Sequence, residues 1–450
     1  MQHYCGMLAY YFELAIGSLK RNIVLTALMV AAVGVGIGVC MTALTTLRAM
    51  SGDPIPDRSA RLFVPQINAW DPARGRPGLS DSQFSYRDAV ALMTAHKGVR
   101  QAAMYHTVLN VSTPGGLIVQ AQTRATFADF FPMFGVPFRS GTPWGQKADI
   151  GQENVVVLSS KLSDRLFPHI DPVGRTIALS GHPYQIVGVT RPWTPTPRFY
   201  DLGDQDAYGY AFGESEDLYV PFSTAIDRQM PTHGMTSCMT EDHFSGLWQD
   251  RLGSGCFWVQ FWIELPSPAL VRDFNSFVQG YAREQWRIGA YHYPARIQLL
   301  NVEQWLAFNN VVLSAARVNT MIASGLLIVC LVNAIGLLLA KFSSRATELS
   351  VRRALGASQS DLFLQCFVET LILGLMSAGL GFALSDIGLW GMRRLRGVAD
   401  VDSAVGHLYS IDTRMALIIL TVAVVSTLLT GLYPTLRAVR TQPAWQLKIQ

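Results

Sequence analysis

The sequence predicts a membrane protein with four transmembrane α-helices and a large α+β extracytoplasmic domain inserted between helices 1 and 2. Half of the 450 residues are hydrophobic and only 15% are charged, which suits neither a soluble protein nor a bundle made only of membrane helices. Four apolar runs are each long enough to span about 30 Å of hydrocarbon. They are residues 23–44, 321–340, 362–390 and 415–436. Residues 45–320 contain no comparable run and are rich in Pro, Gly, Trp and Tyr, as expected of a folded domain.

The first apolar run predicts an uncleaved membrane anchor. It is longer than the apolar core of about 7–15 residues in a signal peptide, and no clear small-x-small cleavage site follows it. Gly34 and Gly38 stand four residues apart within it, a spacing that favours close helix packing. Before it, residues 10–20 have one apolar helical face, so they either lie along the cytoplasmic membrane surface or extend the first membrane helix.

Basic residues predict the orientation of the chain. The segments before the first run, after the second run and after the fourth run share an excess of positive charge, which favours the cytoplasm. The residues are Lys20, Arg21, Lys341, Arg345, Arg352, Arg353, Arg437, Arg440 and Lys448. Arg393 to Arg396 oppose this assignment. We therefore expect a four-pass membrane protein with cytoplasmic N- and C-termini and an extracytoplasmic domain, which in a bacterium would be periplasmic. That domain is close to charge-balanced, so no nucleic-acid partner is expected.

The periplasmic region mixes strands and helices without a regular βαβ repeat, which predicts an α+β domain. Residues 80–95 and 268–286 are typical of helices, and residues 256–265 of a strand. Residues 102–126 form two alternating strands around "TPGG", and residues 175–190 form a hairpin with Ser-Gly-His-Pro at its turn. Residues 154–167 read as a buried strand followed by a helix capped at Ser159 or Ser160. Residues 192–256 are Pro- and Tyr-rich and irregular.

Only two cysteines, Cys238 and Cys256, fall in the periplasmic region. Two cysteines in an oxidising compartment suggest one disulfide. The alternative is a metal site formed by these cysteines with His233 and His243, although the spacing matches no standard zinc pattern.

Residues from about 302 to the second apolar run predict one unbroken helix, a stalk that rises from the bilayer. Asn333 lies inside the second span, where an amide serves helix packing or, less commonly, a functional path. Glu369 lies about two turns inside the third span and could pair with a neighbouring helix or with another subunit. These spans carry too few carboxylates for an ion pathway.

No catalytic residue is predicted. The sequence has no G-x-x-x-x-G-K-[ST] phosphate loop, no G-x-S-x-G turn and no H-E-x-x-H pair. The chain is therefore expected to be a non-catalytic subunit.

The segment "RATELSVRRALGASQSDL", residues 345–362, lies between the second and third spans and predicts a short basic helix there. Glu348 and Arg352 stand at i, i+4 in the favourable order, and Gly356 can take a left-handed C-cap conformation. Ser358 and Asp361 have the spacing of a capping box for the next helix. The segment is either a basic loop that satisfies the positive-inside rule or a shaped docking surface, and its paired caps favour the surface.

This segment, continued as "FLQCFVETLILGLMSAGLGFAL", closely resembles the signature of MacB/FtsX-like (type VII) ABC transporter permeases. "VVVLSSKLSDRLFPHIDPVGRTIALSGHPYQIVGV" resembles the periplasmic core domain of that family. "LYPTLRAVRTQPAWQL" resembles the C-terminal end of the family, where Tyr-Pro closes the fourth helix. The resemblance extends over essentially the whole chain.

The resemblance implies a permease of the bacterial inner membrane with its large domain in the periplasm. Such a permease conveys ATP-driven closure of an ABC ATPase dimer to the periplasmic domain (mechanotransmission). ATP and Mg would be bound by that partner, with no cofactor bound by this chain. A coupling helix would contact the ATPase through Glu348, Leu349, Val351, Arg352, Arg353, Ala354, Leu355 and Gly356. The family also implies a second permease chain, as a homodimer or a paralogous heterodimer. A periplasmic adaptor, an outer-membrane channel and membrane lipid are further expected partners. The sequence departs from fused members by containing no ATPase domain, so the motor is expected to be a separate chain.

The resemblance favours export or efflux of a peptide, lipopeptide or other natural product. Extraction of lipoproteins from the inner membrane and an FtsX-like scaffold that regulates a periplasmic hydrolase are the alternatives. A membrane-anchored periplasmic enzyme is disfavoured by the missing catalytic motifs.

The predicted organisation, in chain order, is a cytoplasmic amphipathic helix (1–20), transmembrane helix 1 (21–48), the periplasmic α+β domain (49–305), the stalk with transmembrane helix 2 (306–341), the coupling helix (342–358), transmembrane helix 3 (359–390), a periplasmic loop (391–413), transmembrane helix 4 (414–436) and a cytoplasmic tail (437–450).

Overall fold

The structure, a computed structural model, confirms the predicted fold class: four membrane-type helices and an α+β domain that follows the first of them. It describes residues 2–69, 83–113, 115–202, 211–213, 215–234, 236–238, 247–312, 314–345, 348, 351–353, 355–395, 411 and 413–440. The chain divides into two compact units. The first comprises Met1–Ala49 with Leu313–Gln450, and the second comprises Met50–Val312.

The first unit is helical. Its elements are α1 (Gln2–Arg21), α2 (Ile23–Ser51), α11 (Ser314–Ser344), α12 (Gln359–Leu395) and α13 (Thr413–Arg440). Four stretches are long and apolar enough to cross a membrane: Ile23–Ser51, Ala316–Ser344, Gln359–Arg394 and Thr413–Leu436. The core of this bundle contains Val33, Ile37, Leu327, Ala378 and Ile419.

Two predictions about helix ends are wrong. The stalk is not continuous, because helix α10 (Val302–Phe308) ends before α11 begins at Ser314. Between them Asn310 takes a left-handed conformation with φ 49°, which an asparagine adopts more readily than most residues. Tyr433-Pro434 does not close the fourth helix either, since α13 continues to Arg440 with Pro434 inside it. A membrane helix tolerates the single backbone donor that proline removes.

The second unit is built on one mixed sheet. Its strands are β1 (Leu62–Asn68), β2 (Phe84–Ser85), β3 (Arg100–Ser112), β4 (Ile118–Thr126), β5 (Phe138–Gly141), β6 (Val155–Leu158), β7 (Thr176–Leu179), β8 (His182–Thr190), β9 (Leu218–Pro221), β10 (Ser237–Cys238), β11 (Cys256–Glu264) and β12 (Arg296–Asn301). They follow the order β12-β1-β11-β3-β4-β9-β6-β8-β5, with β2 and β10 paired to β11 and β7 paired to β3 and β8. The β4–β9 and β6–β8 pairs are parallel and the other described strand pairs are antiparallel, so the sheet is mixed and its described strands form no regular βαβ repeat.

The helices of this unit are short except for one. They are α3 (Tyr86–Thr94), α4 (Phe130–Phe134), α5 (Gln146–Gly151), α6 (Ser160–Leu166), α7 (Phe222–Asp227), α8 (Trp248–Gly253), α9 (Pro268–Arg287) and α10. Ser85 caps α3 and Ser159 caps α6, each through a backbone N–H that donates to its hydroxyl, so the alternative cap at Ser160 is wrong. The β7–β8 turn is Ser180–Gly181, and His182 and Pro183 already belong to β8.

A buried ion network links the 192–256 stretch to the sheet. Arg124 on β4 donates to both Asp201 and Glu216, and the side chains of all three are at most 6% exposed. Arg198 adds a second guanidinium, with Nη2 3.5 Å from Asp201 Oδ2. Burial alone would raise the pKa of Glu216, but the two arginines lower it below its ordinary value. The described part of this stretch is therefore anchored in the core of the domain.

Candidate functional site

The candidate site is the segment between α11 and α12, which the sequence predicts to be the coupling helix. Of its residues the structure describes Arg345, Glu348, 351–353 and 355–358, and Glu348 and residues 351–353 are helical. Leu349 and Ala354 lie outside the described residues, so the structure assigns them no position.

The sharp turn at the end of the segment has the predicted form. Gly356 has φ 103°, in the region that favours glycine, and its N–H donates to Arg353 O over 3.1 Å. The predicted capping box of α12 is present, because Asp361 N donates to Ser358 Oγ and Ser358 N donates to Asp361 Oδ2. Together these bonds fix the angle at which the chain enters α12.

One face of the segment is tied to α12 by polar contacts. Arg352 Nη2 lies 3.1 Å from Glu348 Oε1, the predicted i, i+4 pair, and Arg352 Nη1 lies 3.2 Å from Gln365 Oε1 on α12. Arg345 and Arg21 also approach Glu348, at 3.4 Å and 3.7 Å. Burial alone would raise the pKa of Glu348, but these three arginines lower it below its ordinary value. Glu348 is therefore the anion that organises the segment.

A buried cluster continues this face into the helical unit. Glu369, one helical turn beyond Gln365 on α12, is 1% exposed. Its Oε1 is 2.5 Å from both Lys341 Nζ and Ser18 Oγ, and its Oε2 is 3.2 Å from Arg345 Nη1. Arg345 Nη1 also donates to Ser18 Oγ over 2.5 Å. The cluster thus joins α1, α11, α12 and the segment at one carboxylate.

Sequence reasoning left the partner of Glu369 open and missed Ser18 altogether. A charged residue directly after an apolar run, such as Lys341, or inside one, such as Glu369, is a usable signal because it requires a partner once it is buried. Ser18 carries no such signal, since a serine in an amphipathic helix is unremarkable.

Two apolar side chains of the segment are exposed. Val351 is 52% exposed and Leu355 is 83% exposed. Residues at i and i+4 lie on the same side of a helix, so these two side chains form one small apolar patch. Arg352, by contrast, is only half-exposed because its guanidinium is held by Glu348 and Gln365. Arg353 is half-buried, and Gly356 is exposed.

Comparison with known families identifies the chain. The family model of the MacB-like periplasmic core domain matches residues 26–274, more than half of the chain. A second family model, that of the FtsX-like permease C-terminal domain, matches residues 320–443. The chain belongs to the MacB/FtsX-like permease family. It is accordingly a transporter-permease type of membrane protein with a periplasmic-type core domain.

Several curated proteins are similar to this permease. The macrolide export ATP-binding/permease protein MacB of Shewanella sp. is 23% identical over 262 residues, which are 57% of this chain and 33% of that protein. MacB of Escherichia coli strain K12 is also 23% identical, over 59% of this chain and 35% of its own length. The permease thus spans about a third of the length of these relatives.

Among solved structures, the periplasmic region of MacB from Actinobacillus actinomycetemcomitans covers 55% of the permease and 92% of its own chain, at 11% identity and a TM-score of 0.35. The extracellular domain of the transporter YknZ from Gram-positive bacteria covers 53% of the permease and 100% of its own chain, at 11% identity and a TM-score of 0.34.

Gly34 and Gly38 of α2, the glycines predicted to mediate helix packing, lie against α12. A Cβ atom on Gly34 would stand 2.8 Å from Leu380 Cδ2, and one on Gly38 would stand 2.8 Å from Leu384 Cβ. The two helices therefore approach at distances that only glycine permits. Asn333 is different, because it is exposed on α11 in this chain. A packing role for Asn333 would require another chain.

In the second unit (50–312), called the outer domain below, Cys238 and Cys256 form a disulfide between paired residues of β10 and β11, with their Cα atoms 4.1 Å apart. The two sulfur atoms are bonded to each other and are therefore unavailable as thiolate ligands for a metal ion. His233 donates its backbone N–H to His106 O, and His243 lies outside the described residues. No cluster of three or more candidate metal ligands occurs within the described part of the chain.

Proposed function

We propose that this permease couples ATP hydrolysis by an ABC ATPase partner to movement of its outer domain, and that it serves export. Segment 345–362 docks on the ATPase and passes the motion to α11 and α12. The ATPase, as a dimer, binds ATP and Mg. A second permease chain, identical or paralogous, completes the assembly.

The observation that carries this proposal is that the segment is anchored through polar side chains and exposes apolar ones. The polar side chains join it to α12 through Arg352–Gln365 and to α1, α11 and α12 through the Glu369 cluster. Val351 and Leu355 are exposed, and their burial would require a partner surface. A lever needs both a rigid attachment and a docking surface, and this arrangement supplies both.

The proposal includes a topology. The segment, Lys20, Arg21 and Lys341 lie on the cytoplasmic side because basic residues favour that side. With four spans, both termini are cytoplasmic and the outer domain is periplasmic. A periplasmic adaptor and an outer-membrane channel would then receive the cargo.

The cargo class we propose is a peptide, lipopeptide or other natural product. Similar proteins are named as export proteins, macrolide export among them, which supports an outward direction of transport.

The test is to replace the apolar patch by V351D and L355D together, in the permease reconstituted in nanodiscs with its ATPase. Since buried apolar anchors contribute much of the energy of an interface, we expect the permease-stimulated ATPase rate to fall about tenfold or more and co-purification of the ATPase to be lost. V99D is the matched control, because Val99 is 56% exposed in the outer domain. Wild-type stimulation by a folded V351D/L355D permease would refute the docking role.

A further inference from the structure

The outer domain contains a cavity of about 370 Å³ at one side of its sheet. The cavity lies between α3, the start of β3, the connection from β4 to α4, and helices α5 and α7. Its volume falls in the range of small-molecule sites. None of its lining residues belongs to the segment or to the membrane-type helices.

The wall of the cavity is aromatic. Tyr86 and Phe222 stack with ring centroids 6.3 Å apart, and Phe127 stacks on Phe222 at 5.3 Å. Ile150, at the edge of the cavity, is 85% exposed. Such a wall binds apolar or aromatic groups, and the faces of its rings attract cations.

Two carboxylates face the same cavity. Asp149 is fixed by two donors, Trp144 Nε1 and Ala128 N, each at 2.9 Å. Asp129 Oδ2 accepts from Gln101 N at 3.2 Å. Neither carboxylate takes part in an ion pair with any described residue, and His96 is the one basic side chain in the described lining. At neutral pH the cavity therefore carries negative charge without an ion-pair partner among the described residues.

An independent feature points to a ligand that donates hydrogen bonds. Gln101 lines the cavity and is only 3% exposed. Its Nε2 donates to Met93 O, which identifies Oε1 as the acceptor end of the amide. That buried Oε1 has no hydrogen-bond partner among the described residues. Buried polar atoms are nearly always paired, so an unpaired acceptor on a residue that lines a cavity favours a ligand that carries a hydrogen-bond donor.

We propose that this cavity binds a protonated primary amine attached to an aromatic or apolar body. The ammonium group donates to Asp129, to Gln101 Oε1 and towards Asp149, while the body lies against Tyr86, Phe127 and Phe222. An ammonium group supplies three donors and one positive charge, which matches the acceptors and the charge present. The site is separate from the ATPase docking function and does not depend on it.

The experiment uses the full chain, purified in a neutral detergent, and three probes of one shape. Tryptamine carries the ammonium group, tryptophol replaces it with a hydroxyl, and indole-3-propionate replaces it with a carboxylate. Affinities are measured by ligand-observed saturation-transfer NMR against a detergent blank. We expect tryptamine to bind at least about tenfold more tightly than the other two, because charge-assisted hydrogen bonds are the stronger ones.

Two variants locate the binding. D129N removes a charge but keeps an acceptor for Gln101 N, and V90W fills the cavity from α3, where Val90 is 38% exposed. Each is expected to weaken tryptamine binding about tenfold or more. D164N is the matched control, because Asp164 is an exposed carboxylate outside the cavity. Equal affinity for tryptamine and tryptophol would overturn the proposal. Unchanged binding in a folded D129N or V90W variant would also overturn it. If D129N does not fold, V90W decides alone.

Discussion

Glu369 and Lys341 form an ion pair in which both side chains are almost completely buried, with Lys341 Nζ 2.5 Å from Glu369 Oε1. The pair joins α12 to α11, and Arg345 adds a second cation at 3.2 Å. Because Lys341 and Arg345 both pair with Glu369, both lose this partner if Glu369 is replaced. The beginning of the segment is therefore tied to α12 through the Glu369 carboxylate.

Replacing Glu369 by leucine is expected to destabilise the permease. Removing one member of a buried ion pair typically costs about 3–5 kcal/mol, because the other charge is left buried without a partner. The double variant K341M/E369L is expected to lose less, since the buried lysine is then absent and the remaining cation, Arg345, still pairs with Glu348. Thermal unfolding of the detergent-solubilised chain, followed by size-exclusion chromatography after heating, measures both effects.

D386L is the control for that prediction, because Asp386 is an exposed carboxylate of the same helix. An E369L variant as stable as the wild type, or a double variant less stable than E369L, would show that the pair does not hold these helices together.

Local features of the segment could be predicted from sequence because local geometry fixes them. The Gly356 turn, the Ser358–Asp361 box and the Glu348–Arg352 pair all join residues within four positions of each other. The four membrane-spanning helices could also be predicted from sequence, because the thickness of a bilayer sets the length of an apolar run that crosses it.

Contacts between distant parts of the chain could not be predicted in this way. Ser18 and Glu369 are 351 residues apart, and only the packing of α1 on α12 brings them together. The break before α11 was missed because Asn309 and Asn310 stand in an otherwise helical pattern. Which face of the segment is exposed was also undetermined, since the basic residues suggested a charged surface and the structure turns Arg352 towards α12.

The disulfide gives a second prediction. Cys238 and Cys256 should resist alkylation until the protein is reduced, and the variant C238A/C256A should lower the free energy of unfolding of the outer domain. A cross-link between residues 18 positions apart stabilises a fold by about 3 kcal/mol through the unfolded chain. Mass spectrometry after alkylation and denaturant titrations followed by tryptophan fluorescence measure these effects. C330A, at a free cysteine of α11, is the control. Two freely alkylated thiols in the oxidised protein would contradict the pairing.

The proposed topology predicts which positions an impermeant reagent can reach. Leu117, at the β3–β4 hairpin, is 45% exposed, and Ser360, at the start of α12, is also exposed. In a background with Cys5 replaced by alanine, L117C should react with an impermeant maleimide in spheroplasts, and S360C should react only after permeabilisation. The reverse pattern of labelling would invert the topology.

The charge state of Asp149 gives a pH prediction. Burial, with a smaller contribution from Asp129, raises the pKa of Asp149 to about 6 against the hydrogen bonds from Ala128 and Trp144, which lower it. The unfolded chain loses this proton near pH 4, so the native state binds more protons between about pH 4 and pH 6. The free energy of unfolding should therefore decrease as pH rises through that window, by at most about 3 kcal/mol.

D149N cannot titrate there, so the free energy of unfolding of its outer domain should depend less on pH. Denaturant titrations of the full chain at about pH 4.5 and about pH 7, followed by tryptophan fluorescence, give the difference for each variant. D164N should keep the wild-type dependence, because Asp164 is 63% exposed beside Arg139. An identical difference for the wild type and D149N would mean that Asp149 is already ionised in the native state at the lower pH. The Asp149 side chain would then be negatively charged over the whole pH range between these two titrations.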